Sequence, residues 1–202
     1  MSYRSFTFSD LKKKFGIKQS EKRLFLDETP QIQASAWLIE TLNIGKKNRL
    51  ISEKSVGENL ISPILTEIKL KNIETIELYS GANLSADKLK GLNGECDFLY
   101  TFSPQSVEIN SPIISITEAK KGDITDLHSL AQCSAQLLGA RIFNEKEGKS
   151  TPILYGCVSS GHEWLFLKLE KNTIFIDTER YYIKNLPELL GILQHIVDFY
   201  KD

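Results

Sequence analysis

Glu118 and Lys120 stand two residues apart at the end of an apolar run, 112-PIISITEAK-120. In a strand alternate side chains share a face, so the carboxylate and the ammonium emerge together, with Ile114 and Ile116 behind them. A carboxylate closing a buried stripe is costly unless something pairs with it. Lys120 itself, or Lys121, is the plain partner. A second acid, Asp97, opens the preceding run 96-CDFLYTF-102. If the two runs are hairpin neighbours, Asp97 at the start of one lies close to Glu118 at the end of the other. Converging carboxylates cannot both stay ionised cheaply without a cation between them. Oxygen-only ligands with water in the remaining positions suit Mg²⁺ or Mn²⁺. A lysine beside such an ion can orient water and stabilise charge developing on a phosphate.

A third acid comes from a helix expected over Val56 to Leu70, where Leu60, Ile61, Ile64, Leu65 and Ile68 recur at helical spacing. At about 100° per residue, Glu58 falls roughly 60° from the Ile61-centred apolar face and Glu67 roughly 120° on the other side. Glu58 is therefore the expected inward-pointing acid and Glu67 a solvated one. In the helix that follows the lysine, His128, Gln132 and Gln136 repeat every four residues as one polar stripe. Leu127, Leu130, Ala131, Ser134, Leu137 and Leu138 take the packing side. The plain reading of the stripe is a solvated face. Cys133 and His128 are out of phase for a thiolate–imidazole pair, and Cys157 reads as a small buried hydrophobe.

The elements that must hold these groups follow from punctuation and period. A short helix is expected over 9–16, with Ser9 as cap and Gly16 as stop, and a second over Gln31 to Asn43, ending near Gly45. After the Val56–Leu70 helix come extended segments at 73–84, 96–102 and 112–120, the last two joined by the polar stretch 103-SPQSVEIN-110. A long helix over Asp126 to Asn144 has Thr125 or Asp123 as its cap. Strands at 152–160, 163–169 and 173–179 precede an amphipathic helix from Leu186 to Tyr200, with Pro187 in its first turn. The order α, α, α, β, β, β, α, β, β, β, α predicts an α/β fold, a mixed sheet flanked by helices.

With 202 residues the chain suits one domain. A net charge of −1 supplies no global basic field for a polyanion, although a local patch such as 12-KKK-14 stays open to one. The three cysteines form no CxxC pair, which argues against zinc ribbons and disulfide frameworks. The opening MSYRSFTFSDLKKKFG lacks the apolar core of a signal peptide, and no run approaches the ~18 apolar residues of a membrane span. No membrane partner is expected, and a reducing cytoplasm is the default.

Glu58 on a helix, Asp97 opening a strand and 118-EAK-120 closing the next together resemble the PD-(D/E)xK nuclease superfamily, the restriction-endonuclease-like fold. The resemblance covers roughly Ser52 to Glu170 and implies an αβββαβ core at 52–170. Residues 1–51 would then be an N-terminal helical elaboration, and 171–202 a further strand and the C-terminal helix. Cys96 stands where the family often has proline, which leaves the carboxylate of Asp97 in place. By this resemblance Asp97 and Glu118 hold Mg²⁺ or Mn²⁺ with the backbone carbonyl of Ala119. Glu58 assists through metal-bound water, and Lys120 positions the attacking water. Glutamines on the next helix are similar to those of RecB-like and Holliday-resolvase-like members, which implies that Gln132 and Gln136 support the site or touch substrate. The implied partner is nucleic acid, DNA foremost, and a homodimer is open by analogy. The alternative is a non-catalytic nucleic-acid- or protein-binding module on the same fold.

Overall fold

The computed structural model describes residues 2–26, 29–103 and 106–201; Pro104 and Gln105 of the expected connector lie outside them. Capping chemistry sets the helix starts. α1 (Phe8–Phe15) begins at Thr7, whose side chain accepts the Asp10 N–H while Asp10 accepts the Thr7 N–H. Gly16 ends it in the left-handed conformation, whereas Ser9, the expected cap, lies inside the helix. α2 (Ala36–Gly45) starts at Ser35, later than the expected Gln31. α5 (Leu127–Lys146) is capped by Asp126, which accepts the N–H groups of His128 at 3.3 Å and Ser129 at 2.9 Å. Asp123 instead bonds Thr125 within its own turn.

The helix expected from Val56 to Leu70 begins earlier and is not uniform. α3 (Glu53–Val56) is capped by Ser52, a π-helical turn follows over Gly57–Ile61, and α4 (Ser62–Lys71) completes it. The π turn changes the residue phase, so an angle counted at the regular α-helical step does not carry across it.

The described residues form one eight-stranded mixed sheet in the order β1-β7-β6-β5-β4-β3-β2, with β8 paired to β6. The strands are β1 (Lys18–Glu21), β2 (Glu77–Asp87), β3 (Leu92–Thr101), β4 (Ile113–Ala119), β5 (Ile153–Ser159), β6 (Glu163–Glu170), β7 (Thr173–Ile176) and β8 (Tyr181–Tyr182). β4 and β5 run parallel, linked over one face by α5, and β1 runs parallel to β7. The 1–51 region is thus not purely helical. Its exposed tetrapeptide KQSE forms β1 with no apolar alternation to announce it, held at the sheet edge through β7.

Two cores cover the two faces. On one, Leu38 of α2, Leu60 and Ile61 of the π turn, Ile64 of α4 and Leu190 of α6 (Leu186–Asp198) pack on Phe98, Ile114 and Trp164. On the other, Leu130, Cys133 and Leu137 of α5 pack with α1 on Leu99, Ile116 and Leu165. All seven residues of β4 are buried, as in a central strand covered on both sides. Tyr100 ties α4 to the sheet by donating its hydroxyl to the Leu65 carbonyl at 2.6 Å. Among the described residues no helix is long and apolar enough to cross a membrane.

Candidate active site

The β3–β4 ladder positions the two acids, and its register shifts once, between Tyr100 and Thr101. Tyr100 pairs with Ser115 but Thr101 with Ile113, so Ile114 is an extra residue on β4. The bulge separates two isoleucines expected on one face: Ile114 packs in the core beneath α4, Ile116 in the core beneath α5. Glu118 follows Ile116 and faces α5. On the β2 side, Ser80–Phe98 and Ala82–Cys96 pair while Gly81 and Asp97 between them do not. Gly81 has φ +63°, a conformation that side chains rarely adopt, and its missing β-carbon allows that conformation opposite Asp97.

Regular β3–β4 pairing stops at Phe98–Thr117. One step further, Asp97 bonds the partner strand through its side chain: its Oδ2 accepts the Ala119 N–H at 2.8 Å. The hairpin neighbourhood expected for Asp97 and Glu118 is therefore present, and the strands part there. The opening is a cleft of about 450 Å³, lined by Asp97, Ala119, Glu53, Glu58, Glu95 and the rim cations Arg4 and Lys54.

Behind the cleft, Glu118 is 1% exposed and fully bonded. Its Oε1 accepts from Lys120 Nζ at 3.1 Å and from the Gln132 amide, and its Oε2 accepts from Gln136 Nε2 at 2.7 Å. Gln132 Oε1 in turn accepts from Lys120 Nζ at 3.2 Å. The glutamine stripe is consequently a buried clamp on Glu118, and the solvated-face reading is corrected. Only His128 at its N-terminal end is exposed, as is Leu127, which had been expected to pack. Small residues on α5 let the helix lie close enough for both amides to reach: Ala131, Ser134, Ala135 and Ala140 are all buried.

The electrostatics follow from burial. Desolvation pushes the Glu118 carboxyl up to about 7, with the charge of Asp97 adding to the rise and Lys120 opposing it. The Asp97 carboxyl is also raised, again by burial first, against the Ala119 N–H and Lys120, which favour its charged form. One ammonium thus faces more negative charge than it offsets.

The helix acids exchange roles. Glu58 is exposed and pairs with Lys54 at 3.9 Å, so the inward direction expected for it is wrong, although it lines the outer cleft. Glu53, the first residue of α3, instead approaches Lys120 Nζ at 3.7 Å. Its signal was the Ser52 cap, which a start at Val56 passed over. Glu67, expected in solvent, is 3% exposed and accepts both the N–H and the hydroxyl of Ser35 at 3.1 and 2.7 Å. It anchors the start of α2 on α4. All three cysteines are free and buried.

The donors suit a hard divalent cation: two oxygen acids of raised pKa with a shortage of positive charge between them. Among the described residues, three or more His, Cys, Asp or Glu side chains are nowhere gathered into a cage. Water and backbone oxygens would therefore supply the remaining positions, a pattern common for Mg²⁺. No family model matches the chain, and no curated protein matches it.

Proposed function

We propose that the chain is a metal-dependent nuclease of the PD-(D/E)xK type, hydrolysing phosphodiester bonds of nucleic acid, with DNA as the first candidate substrate. One observation carries this reading. Asp97 and Glu118, both of raised pKa, meet where β3 and β4 part, with Lys120 bonded to Glu118 and a cleft reaching Asp97. The run from α3 to β5, helix, three strands, helix, strand, fits the αβββαβ core of that fold.

Asp97 and Glu118 would hold Mg²⁺ or Mn²⁺, with the Ala119 carbonyl and waters completing the set. When bound, such an ion neutralises phosphate charge and eases deprotonation of water. The chain's own groups do the rest. Lys120, 12% exposed between Glu118 and Glu53, holds the attacking water in line with phosphorus and stabilises the charge that develops on the phosphate oxygens. Gln132 fixes both Lys120 and Glu118, and Gln136 fixes the other oxygen of Glu118. Glu53 restrains Lys120 from the helix side. Water adds to phosphorus as one ester oxygen departs and takes up a proton.

The test is cleavage of a panel of single- and double-stranded DNA and RNA with Mg²⁺ or Mn²⁺, with Lys120→Ala protein as control. Divalent-dependent cleavage that falls roughly 10²-fold or more in the variant is expected. Equal cleavage by the two proteins would overturn the mechanism.

A second reading, a non-catalytic binding module, is favoured by the closed shell around Glu118, both of whose oxygens are already bonded. Calorimetric titration with Mn²⁺ separates the two: heat lost in Glu118→Ala protein supports the metal site, and none in the parent chain supports the module.

A further inference from the structure

The cleft has a cation that the reading above does not use. Of the cations described along its wall, Lys54 is engaged by Glu58 at 3.9 Å, which leaves Arg4. Arg4 sits in a 3-10 turn, Tyr3–Ser5, between two aromatic anchors, Tyr3 at 1% and Phe6 at 0% exposure. The turn is closed on itself. Ser5 N–H donates to the Ser2 carbonyl at 2.9 Å, Ser5 Oγ donates to it at 2.8 Å, and Ser2 N–H donates to Ser5 Oγ at 3.1 Å.

Tyr3 sits in a notch cut for it. A β-carbon on Gly139 of α5 would collide with the Tyr3 hydroxyl and ring, and one on Gly94 of β3 would stand 3.3 Å from the ring. α5 and β3 are the elements that carry the glutamine clamp and Asp97, so Arg4 is registered to the site by the same framework.

We infer that Arg4 is a phosphate-binding residue on the rim of the cleft. Its guanidinium fork takes a backbone phosphate next to the bond that is cut. The inference rests on the nuclease reading. A polyanion entering a cleft lined by Glu53, Glu58, Glu95 and Asp97 meets repulsion, and a planar donor pair on the rim suits a phosphate better than a point charge does. An arginine on an unanchored arm would lose much of this gain to ordering on binding, whereas the turn and notch order it beforehand. Arg4 is exposed, so replacing it leaves the fold intact.

The experiment is binding of a fluorescein-labelled DNA duplex, and of its single strand, to the full chain across a salt series, read by anisotropy in Ca²⁺ to suppress cleavage. Arg4→Ala should weaken binding roughly tenfold at low salt, irrespective of sequence, and lower the slope of log K against log salt by about one. Arg4→Lys should restore the slope but only part of the affinity. In Mg²⁺ the Arg4→Ala loss should fall mainly on KM, at an unchanged melting temperature. Unaltered affinity and slope in Arg4→Ala, while Lys120→Ala still loses cleavage, would overturn the role of Arg4 and leave the nuclease reading standing. No DNA binding by the parent chain would overturn the role of Arg4, and the nuclease reading falls with it only when the DNA and RNA cleavage panel is also negative.

Discussion

Two glutamates are buried on opposite faces of the sheet, Glu67 at 3% and Glu118 at 1% exposure, and they are held by different company. Glu67 receives the N–H and hydroxyl of Ser35, and Lys71 stands 3.5 Å away. Its partners join two helices. Glu118 receives two amides and an ammonium, yet its pKa is pushed up, by burial first and then by the charge of Asp97 at the same end of the sheet. Burial alone therefore does not distinguish a structural acid from the one proposed for the active site. The distinguishing feature is charge left uncompensated: Glu67 is a strut, and Glu118 is half of a pair that a cation would relieve.

The largest expected effect separates the two acids by activity. Glu118→Gln should abolish divalent-dependent cleavage, a fall of at least about 10²-fold by the scale of single electrostatic contributions. Glu67→Gln should leave kcat of the folded protein unaltered. Cleavage assays on both variants decide it, and parity between them would remove the basis for ranking Glu118 above Glu67.

Next comes pH. The Glu118 carboxyl is raised from 4.5 to about 7 on folding, so between those values the native state holds the proton more tightly than the unfolded one. Its contribution is fully present below about pH 4.5 and is lost as pH rises through about 7, by an amount on the order of a few kcal/mol. Denaturant melts without divalent ions should show the parent losing stability over that window relative to Glu118→Gln. Added Mn²⁺ should restore the parent at pH 8 and do nothing for the variant. Parallel pH curves would contradict this.

Removing the strut should act on stability. Glu67→Ala leaves the half-buried Ser35 N–H without its partner, for a loss of about 1 kcal/mol in urea melts, with cleavage per folded molecule retained. The smallest effect compares the two acids near the helix start. Glu53→Gln, next to Lys120, should lower kcat a few-fold, while Glu58→Gln, an exposed partner of Lys54, should change it little. A larger loss from Glu58→Gln would restore the role first expected for it.

Local patterns carried far. The apolar run ending in Glu118-Ala119-Lys120 and the run opened by Asp97 are legible as neighbouring strands, because both are short apolar runs bounded by turn residues and consecutive strands usually pair. The glutamine spacing on α5 is equally legible, since residues four apart share a helix face. From the sequence, then, come the α/β class, the strand carriers of both acids and the lysine's place beside Glu118.

Tertiary structure decided which way side chains point, wherever regular phase breaks. The extra residue at Ile114 sends Ile114 and Ile116 into opposite cores, and the π turn at Gly57–Ile61 leaves Glu53 rather than Glu58 beside Lys120. Neither irregularity has a strong local signature, because each is stabilised by packing against partners distant in the chain. The same holds for the stripe Gln132–Gln136. Its spacing was evident, but whether it met water or Glu118 depended on α5 being covered all round. It also holds for β1, whose four polar residues become a strand only because β7 offers an edge. Periodicity is a property of neighbours in sequence, while burial and charge compensation belong to neighbours in space, and the site is built from the second kind.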